Sequence, residues 1–202
     1  LELGAGGREG EAMHDHVVLV TGAGNRGQVG FAVAQRFHAA GARVVMSDIV
    51  PDVETLAGDV AGDGRVIGVR ADLTADDDVA RLLDVVRERF GRLDTLVNAV
   101  GGLTVMRSVE QTEPAAWQRE IERNAGTVLR VTRAALPLLR EARGAVINFA
   151  SPAAERAPAG LAAYSAAKAA VVALTRSLAL EEKANGVRAN AVAPGMVDTE
   201  QN

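Results

Sequence analysis

VVLVTGAGNRGQVGFAVAQRFHAAGARVVMSD, residues 17–48, decides the fold. It opens with a short β-branched run, VVLVT (17–21). A glycine-rich loop, TGAGNRGQVG (21–30), follows at once. A helical pattern then covers 29–40, and a second apolar run, RVVMSD (43–48), ends on an acid. Gly22, Gly24 and Gly27 read as G-x-G-x-x-G, with Gly30 three residues on. Glycine permits a tight turn and lets a pyrophosphate approach the backbone, while the next helix offers its free N–H groups to that anion. Alone the motif is a weak signal; between a strand and a helix it is stronger. Asp48 lies 21 residues after Gly27, where an acid would hold the ribose 2′ and 3′ hydroxyls. It would repel a 2′-phosphate and so favours NAD. Arg26, inside the glycine loop, pulls the other way, because a guanidinium pairs with that phosphate and opens the alternative of NADP.

The same alternation continues outward. Further apolar runs are RVIGVR (65–70), DTLVNAV (94–100), AVINFA (145–150) and VRANAV (187–192). Candidate helices fall at 52–61, 76–90, 114–141 and 162–184. Strand–helix alternation predicts βαβ units, and strands apolar throughout predict a sheet covered on both faces. The expectation is an α/β, doubly wound parallel sheet of Rossmann type with six recognisable strands. Residues 1–12, rich in Gly and Glu, read as a disordered extension, with Met13 a candidate start. Residues 13–202 read as one nucleotide-binding domain, within the usual size of a single domain.

Composition narrows the function classes. The 202 residues carry a net charge of −4, so nothing attracts nucleic acid or anionic lipid in general. No apolar run approaches the roughly 20 residues of a membrane span. Cysteine is absent, which excludes disulfides and thiol catalysis. A cytoplasmic location fits these features. His14, His16 and His38 form no clustered ligand set with carboxylates, so no metal is expected. Asp76, Asp77 and Asp78 follow Thr74, a candidate helix cap, and complement the helix dipole of a solvated first turn. Asp72, after the third strand, could accept from an adenine amino group or cap the following helix, two readings close to even.

Tyr164 and Lys168 stand four apart, on one face of a helix. An ammonium beside a phenol favours the phenolate, which could then give or take a proton. A packed tyrosine with a lysine beside it is the plainer reading of the pair taken alone.

The neighbouring motifs change that balance. From 15 to 200 the chain resembles the classical short-chain dehydrogenase/reductase family. The resemblance rests on the glycine loop from Thr21, Asp72, NAVG (98–101), Asn124, Ser151, Tyr164-x-x-x-Lys168 and PGMVDT (194–199), in that order. It implies Tyr164 as general acid/base, with Lys168 lowering its pKa and holding the nicotinamide ribose. Ser151 would hydrogen-bond the substrate oxygen, and Asn124 would hold a water in a proton relay to Lys168. Asn98 would brace the central strand and the floor of the cofactor pocket, of which Gly101 is also a part. Pro194, Gly195 and Thr199 would lie against the nicotinamide. The implied function is NAD(P)-dependent interconversion of a secondary alcohol and a ketone, on the pattern of 3-oxoacyl thioester reductases or sugar and polyol dehydrogenases.

Two departures stand out. The glycine loop is two residues longer than the usual form, which resembles the enoyl reductases of the wider family; those place Tyr and Lys seven apart, not four. The chain also stops at Asn202, where family members usually continue through a substrate-covering segment, a further helix and a seventh strand. That ending keeps a non-catalytic nucleotide-binding or scaffold relative in view. The helix at 114–141 carries a Trp117, Ile121, Ala125, Val128, Thr132, Ala135, Leu139 stripe, which alone reads as core, and the helix at 162–184 is apolar almost all round; together the two suggest homo-oligomer contact.

Overall fold

A computed structural model describes residues 13–195. Six strands, β1 (Val17–Thr21), β2 (Arg43–Asp48), β3 (Val66–Arg70), β4 (Thr95–Asn98), β5 (Ala145–Phe149) and β6 (Arg188–Val192), form one sheet in the order β3-β2-β1-β4-β5-β6. Every pairing is parallel. The connecting helices are α1 (Val29–Ala39), α2 (Val53–Val60), α3 (Asp76–Phe90), α4 (Pro114–Ile121), α5 (Thr127–Ala142) and α6 (Ala162–Glu181). This is the expected doubly wound α/β architecture, Rossmann-like in its strand order.

Alternation along the strands explains the layering. Val17 and Leu19 of β1 pack with Val79, Leu82, Val131, Ala135 and Leu178, the core beneath α3, α5 and α6. Val18 and Val20 face the other way, into the core with Phe31, Ala34, Val53 and Ala57 beneath α1 and α2. Strands buried on both faces, such as β1, are nearly all apolar, which is the pattern the sequence carries, whereas β6 at the sheet edge is largely exposed.

Polar side chains pin the central register. Asn98 of β4 and Asn148 of β5 are register partners, and Asn98 Nδ2 donates to Asn148 Oδ1 at 2.8 Å and to Thr132 Oγ1 of α5 at 3.1 Å. Asn148 Nδ2 donates to Thr175 Oγ1 of α6 at 2.9 Å. All four residues are buried. Asp94, also buried, accepts from the Val17 amide at 2.9 Å and from Arg92, tying the starts of β1 and β4.

Three expectations are corrected. The helix predicted over 114–141 is two α-helices joined by a π-helical turn, Glu122–Gly126. Asn124 Nδ2 donates to the Glu120 carbonyl at 3.0 Å, and the Thr127 amide donates to Glu122 O, a step of five residues rather than four. The start of the predicted stripe is open rather than core: Trp117 is 38% exposed, while Val128, Thr132, Ala135 and Leu139 are buried. Thr74 does not cap α3. Its amide and hydroxyl donate to Asp72 Oδ1 at 2.9 and 2.7 Å, and Ala75 holds the cap position.

Among the described residues, no helix is long and apolar enough to cross a membrane and no cluster of His, Asp or Glu could hold a metal ion. The predicted extension at 1–12 lies outside the described residues.

Candidate active site

The sheet changes winding direction between β1 and β4, and the loops after both strands meet there. Such a crevice at the carboxyl ends of the strands is where doubly wound folds hold ligands. A Cβ on Gly22 would lie 2.7 Å from the Val100 amide nitrogen, and one on Gly30 would lie 2.1 Å from Gly22 O. The tight approach of α1 to the loop therefore belongs to Gly30, one residue into the helix. Gly27 closes the turn before it, its amide donating to Asn25 Oδ1 at 2.9 Å.

Asp48 is fixed in place. Its Oδ2 accepts from the Gly24 amide at 2.9 Å, and Oδ1 from the Ile49 amide at 2.7 Å. Arg26 is turned elsewhere, paired with Asp59 and lying 5.7 Å over the Phe31 ring centre. A cleft of about 790 Å³ opens above these residues, with Gly22, Asp48, Asp72, Val100, Gly101 and Arg123 in its walls. Asp72 reaches the cleft, though one of its oxygens is committed to Thr74. The start of α1 has no acid in its first turn and no side chain capping it, so its amides are open to an anion. These features fit a dinucleotide: donors for a pyrophosphate and an oriented carboxylate for a ribose.

Ser151, Tyr164 and Lys168 do not wall that cleft; they gather next to it. Lys168 is 4% exposed, and its Nζ donates to Phe149 O at 2.9 Å, two residues before Ser151. Nζ also lies 5.8 Å from the centre of the Tyr164 ring. Burial pulls the Lys168 ammonium down to about 8, and the negative charge of Glu120 opposes that fall. Ser151 ends the loop after β5, its Oγ accepting from the Ala153 amide at 3.2 Å, and the short 3-10 turn that follows packs on α6.

Asn124 closes the group. Its Oδ1 accepts from the Gly102 amide at 3.0 Å, and its Nδ2 donates to Gly102 O at 3.1 Å. A Cβ on Gly101, whose φ is +133°, would meet Asn124 Oδ1 at 2.5 Å and Lys168 Nζ at 3.3 Å. Gly101 thus belongs both to the cleft and to the lysine's surroundings. Asn98 stands behind it in the asparagine–threonine network, its Oδ1 without a partner among the described residues. Pro194 and Gly195 follow β6, and Thr199 lies outside the described residues.

A family model described as short chain dehydrogenase matches residues 16–202, nearly the whole chain. The chain belongs to the short-chain dehydrogenase/reductase family. Members of this family use NAD(P), and this one is an oxidoreductase acting on CH–OH groups. Cis-4-hydroxycyclohexanecarboxylate dehydrogenase of Sinomonas cyclohexanicum is 38% identical over 94% of this chain and 76% of its own length. Meso-2,3-butanediol dehydrogenase of Serratia marcescens is 37% identical over 91% of this chain and 72% of its own. L-fucose dehydrogenase of Oryctolagus cuniculus is 36% identical over 91% and 63%.

Glu120 and Thr104 were not picked out by sequence reasoning. Glu120 is wholly buried beside Asn124, and Thr104 donates to it from the loop after β4. The only sequence sign of Glu120 is its place four residues before Asn124, among other polar residues on the same helix.

Proposed function

We propose that the chain interconverts a secondary alcohol and a ketone, with Tyr164 as general acid/base and NAD in preference to NADP. The observation that carries the chemistry is the buried Lys168, held on Phe149 O with its Nζ beside the Tyr164 ring. When bound, the nicotinamide accepts or supplies the hydride. The protein's own residues position the reactants and manage the proton. The α1 amides with Gly22, Gly24 and Gly27 would take the pyrophosphate, Asp48 the adenosine ribose and Asp72 the adenine. Asn98 and Gly101 would underlie the pocket, and Pro194, Gly195 and Thr199 would flank the nicotinamide.

In the oxidative direction the hydroxyl proton passes to Tyr164 Oη. The Lys168 ammonium stabilises the negative charge that Oη must carry beforehand. Ser151 Oγ donates to the same substrate oxygen, which gains alkoxide character as the hydride leaves. In reduction the phenol returns the proton. A water beside Asn124 would link Lys168 to solvent, and the Asn124 amide holds the Gly101–Gly102 backbone next to it.

Asp48 supports NAD, because its carboxylate, fixed by the Gly24 amide, would repel a 2′-phosphate on the ribose it is proposed to hold, while Arg26 is engaged with Asp59. Titrating the protein with NADH and NADPH tests this: NADH should bind at least tenfold tighter, and tighter NADPH binding would reverse the reading. Hydroxylated rings, sugars and polyols are the favoured substrates, since the relatives named above act on such compounds. The Tyr–Lys spacing of four speaks against enoyl reduction. Ser151, Tyr164, Lys168 and Asn124 together speak against a bare scaffold. Self-association through α4, α5 and α6 is part of the proposal: Trp117, Leu129 (52% exposed) and Leu180 (78% exposed) leave apolar surface on these helices.

A further inference from the structure

Glu120 is the one acidic side chain among the described residues that is wholly buried beside the reacting group. A carboxylate removed from water is costly unless donors and a counter-charge meet it. The Thr104 amide donates to both oxygens, at 3.3 and 3.2 Å, and the Thr104 hydroxyl donates to Oε2. Asn124 Nδ2 reaches Oε1 at 3.4 Å. Those donors are neutral. No cation lies within ion-pair distance of Glu120 among the described residues; the buried cation that α6 brings toward it, where α6 packs against α4, is Lys168, with Asn124 reaching Glu120 and sharing the surroundings of Gly101 with Lys168 Nζ. Arg119, Glu122 and Arg123, the charged neighbours of Glu120 on its own helix, wall the cofactor cleft instead. The four residues assigned to the chemistry leave Glu120 without a role.

We propose that Glu120 is a positioning residue of the reaction, the buried counter-ion that keeps Lys168 charged beside Tyr164 and anchors the Gly101–Thr104 loop against it. The proposal rests on the catalytic reading of Lys168 given above.

The physical argument concerns which site loses a proton. When the Tyr164–Lys168 pair gives up one proton, the charge arrangement splits between phenolate with ammonium and phenol with neutral amine. Only the first can accept a substrate proton. Burial disfavours the ammonium, bringing Lys168 to about 8, and the Glu120 charge works against burial. Removing that charge shifts the pair toward the inactive arrangement. The same carboxylate, through Thr104, fixes the loop that brings Gly101 between the cleft and Lys168.

The chain has only two lysines, Lys168 and the exposed Lys183, so carbon-labelled lysine gives an assignable NMR titration with a built-in control. In the full chain, Glu120→Gln should lower the Lys168 midpoint by about one pH unit, a tenfold change in the charged fraction above it. Lys183 should not move, and Glu120→Asp should restore much of the Lys168 value. Alcohol oxidation near pH 8 should fall about tenfold in kcat with KM for NAD unchanged. Should Glu120→Gln fail to fold, Glu120→Met fills the volume without charge and carries the same expectation. A Lys168 midpoint that stays put or rises in these variants overturns the proposal. A lowered midpoint in a protein that oxidises no alcohol upholds the counter-ion and overturns the catalytic reading instead.

Discussion

Lys168 shows what function costs at a single residue. Below about 8 the native and unfolded chains both hold its proton, and the native state bears the full burden of a buried charge. Between 8 and the ordinary 10.5 the native state holds fewer protons than the unfolded one, so stability rises with pH. Compared with Lys168→Met, the wild type should therefore gain on the order of 3 kcal/mol across that window. Urea melts at pH 7 and pH 10 would check this, and a pH-independent difference would mean that Lys168 titrates as a solvated lysine. Asp48 is the second decisive residue. On the proposed reading that Asp48 holds the adenosine ribose and disfavours a 2′-phosphate, Asp48→Ala should narrow the proposed preference for NADH over NADPH at least tenfold, read from parallel binding titrations.

Among the elements, α5 and α6 are clamped at their ends by Arg140 and Glu182. Nε and one terminal nitrogen of Arg140 donate to the two Glu182 oxygens, at 2.9 and 2.6 Å. These bonds hold the Glu182 carboxyl below its ordinary 4.5. A depressed acid stabilises the fold above its unfolded value and loses that contribution as pH falls through the folded one. Arg140→Ala should destabilise the fold at pH 7, since it leaves the Glu182 side chain, only 4% exposed, without its partner, and should do so less in acid well below 4.5. Denaturation of the variant at both pH values would check the sign.

Legibility in the sequence varied at this same scale. Residues 17–48 were readable because a parallel strand buried on both faces must be apolar, and because close approach at Gly22 and Gly30 admits no side chain. The spacing of Tyr164 and Lys168 placed them on one helical turn, which the structure shows. The π-turn was not readable, since its residues have no composition that separates a five-residue ladder from a four-residue one; within it the Asn124 side chain donates to the Glu120 carbonyl. Thr74 matched the chemistry of a cap, yet Asp72 lay within reach and took its hydrogen bonds. Glu120 was hidden for another reason. The Thr104 loop that meets it comes from far along the chain, which leaves no local mark.

For the whole molecule, the sheet order puts the β1 and β4 loops side by side, and chemistry follows from that adjacency. Glycine loop, Asp48 and cleft lie on one side, and Ser151, Tyr164 and Lys168 on the other, with Gly101 shared. If the open apolar faces of α4, α5 and α6 meet in a second copy, sedimentation should show an oligomer that Leu180→Glu weakens. A monomer at all concentrations would remove that part of the account. The central claim is that Tyr164, set by Lys168, moves the proton while the cofactor moves the hydride. Its most direct measurement is the rate of nicotinamide reduction in Tyr164→Phe against wild type, with a panel of secondary alcohols and saturating NAD. The account predicts a fall of about 10² to 10⁴ in kcat with NADH binding unchanged; a variant that turns over as fast as wild type would contradict it.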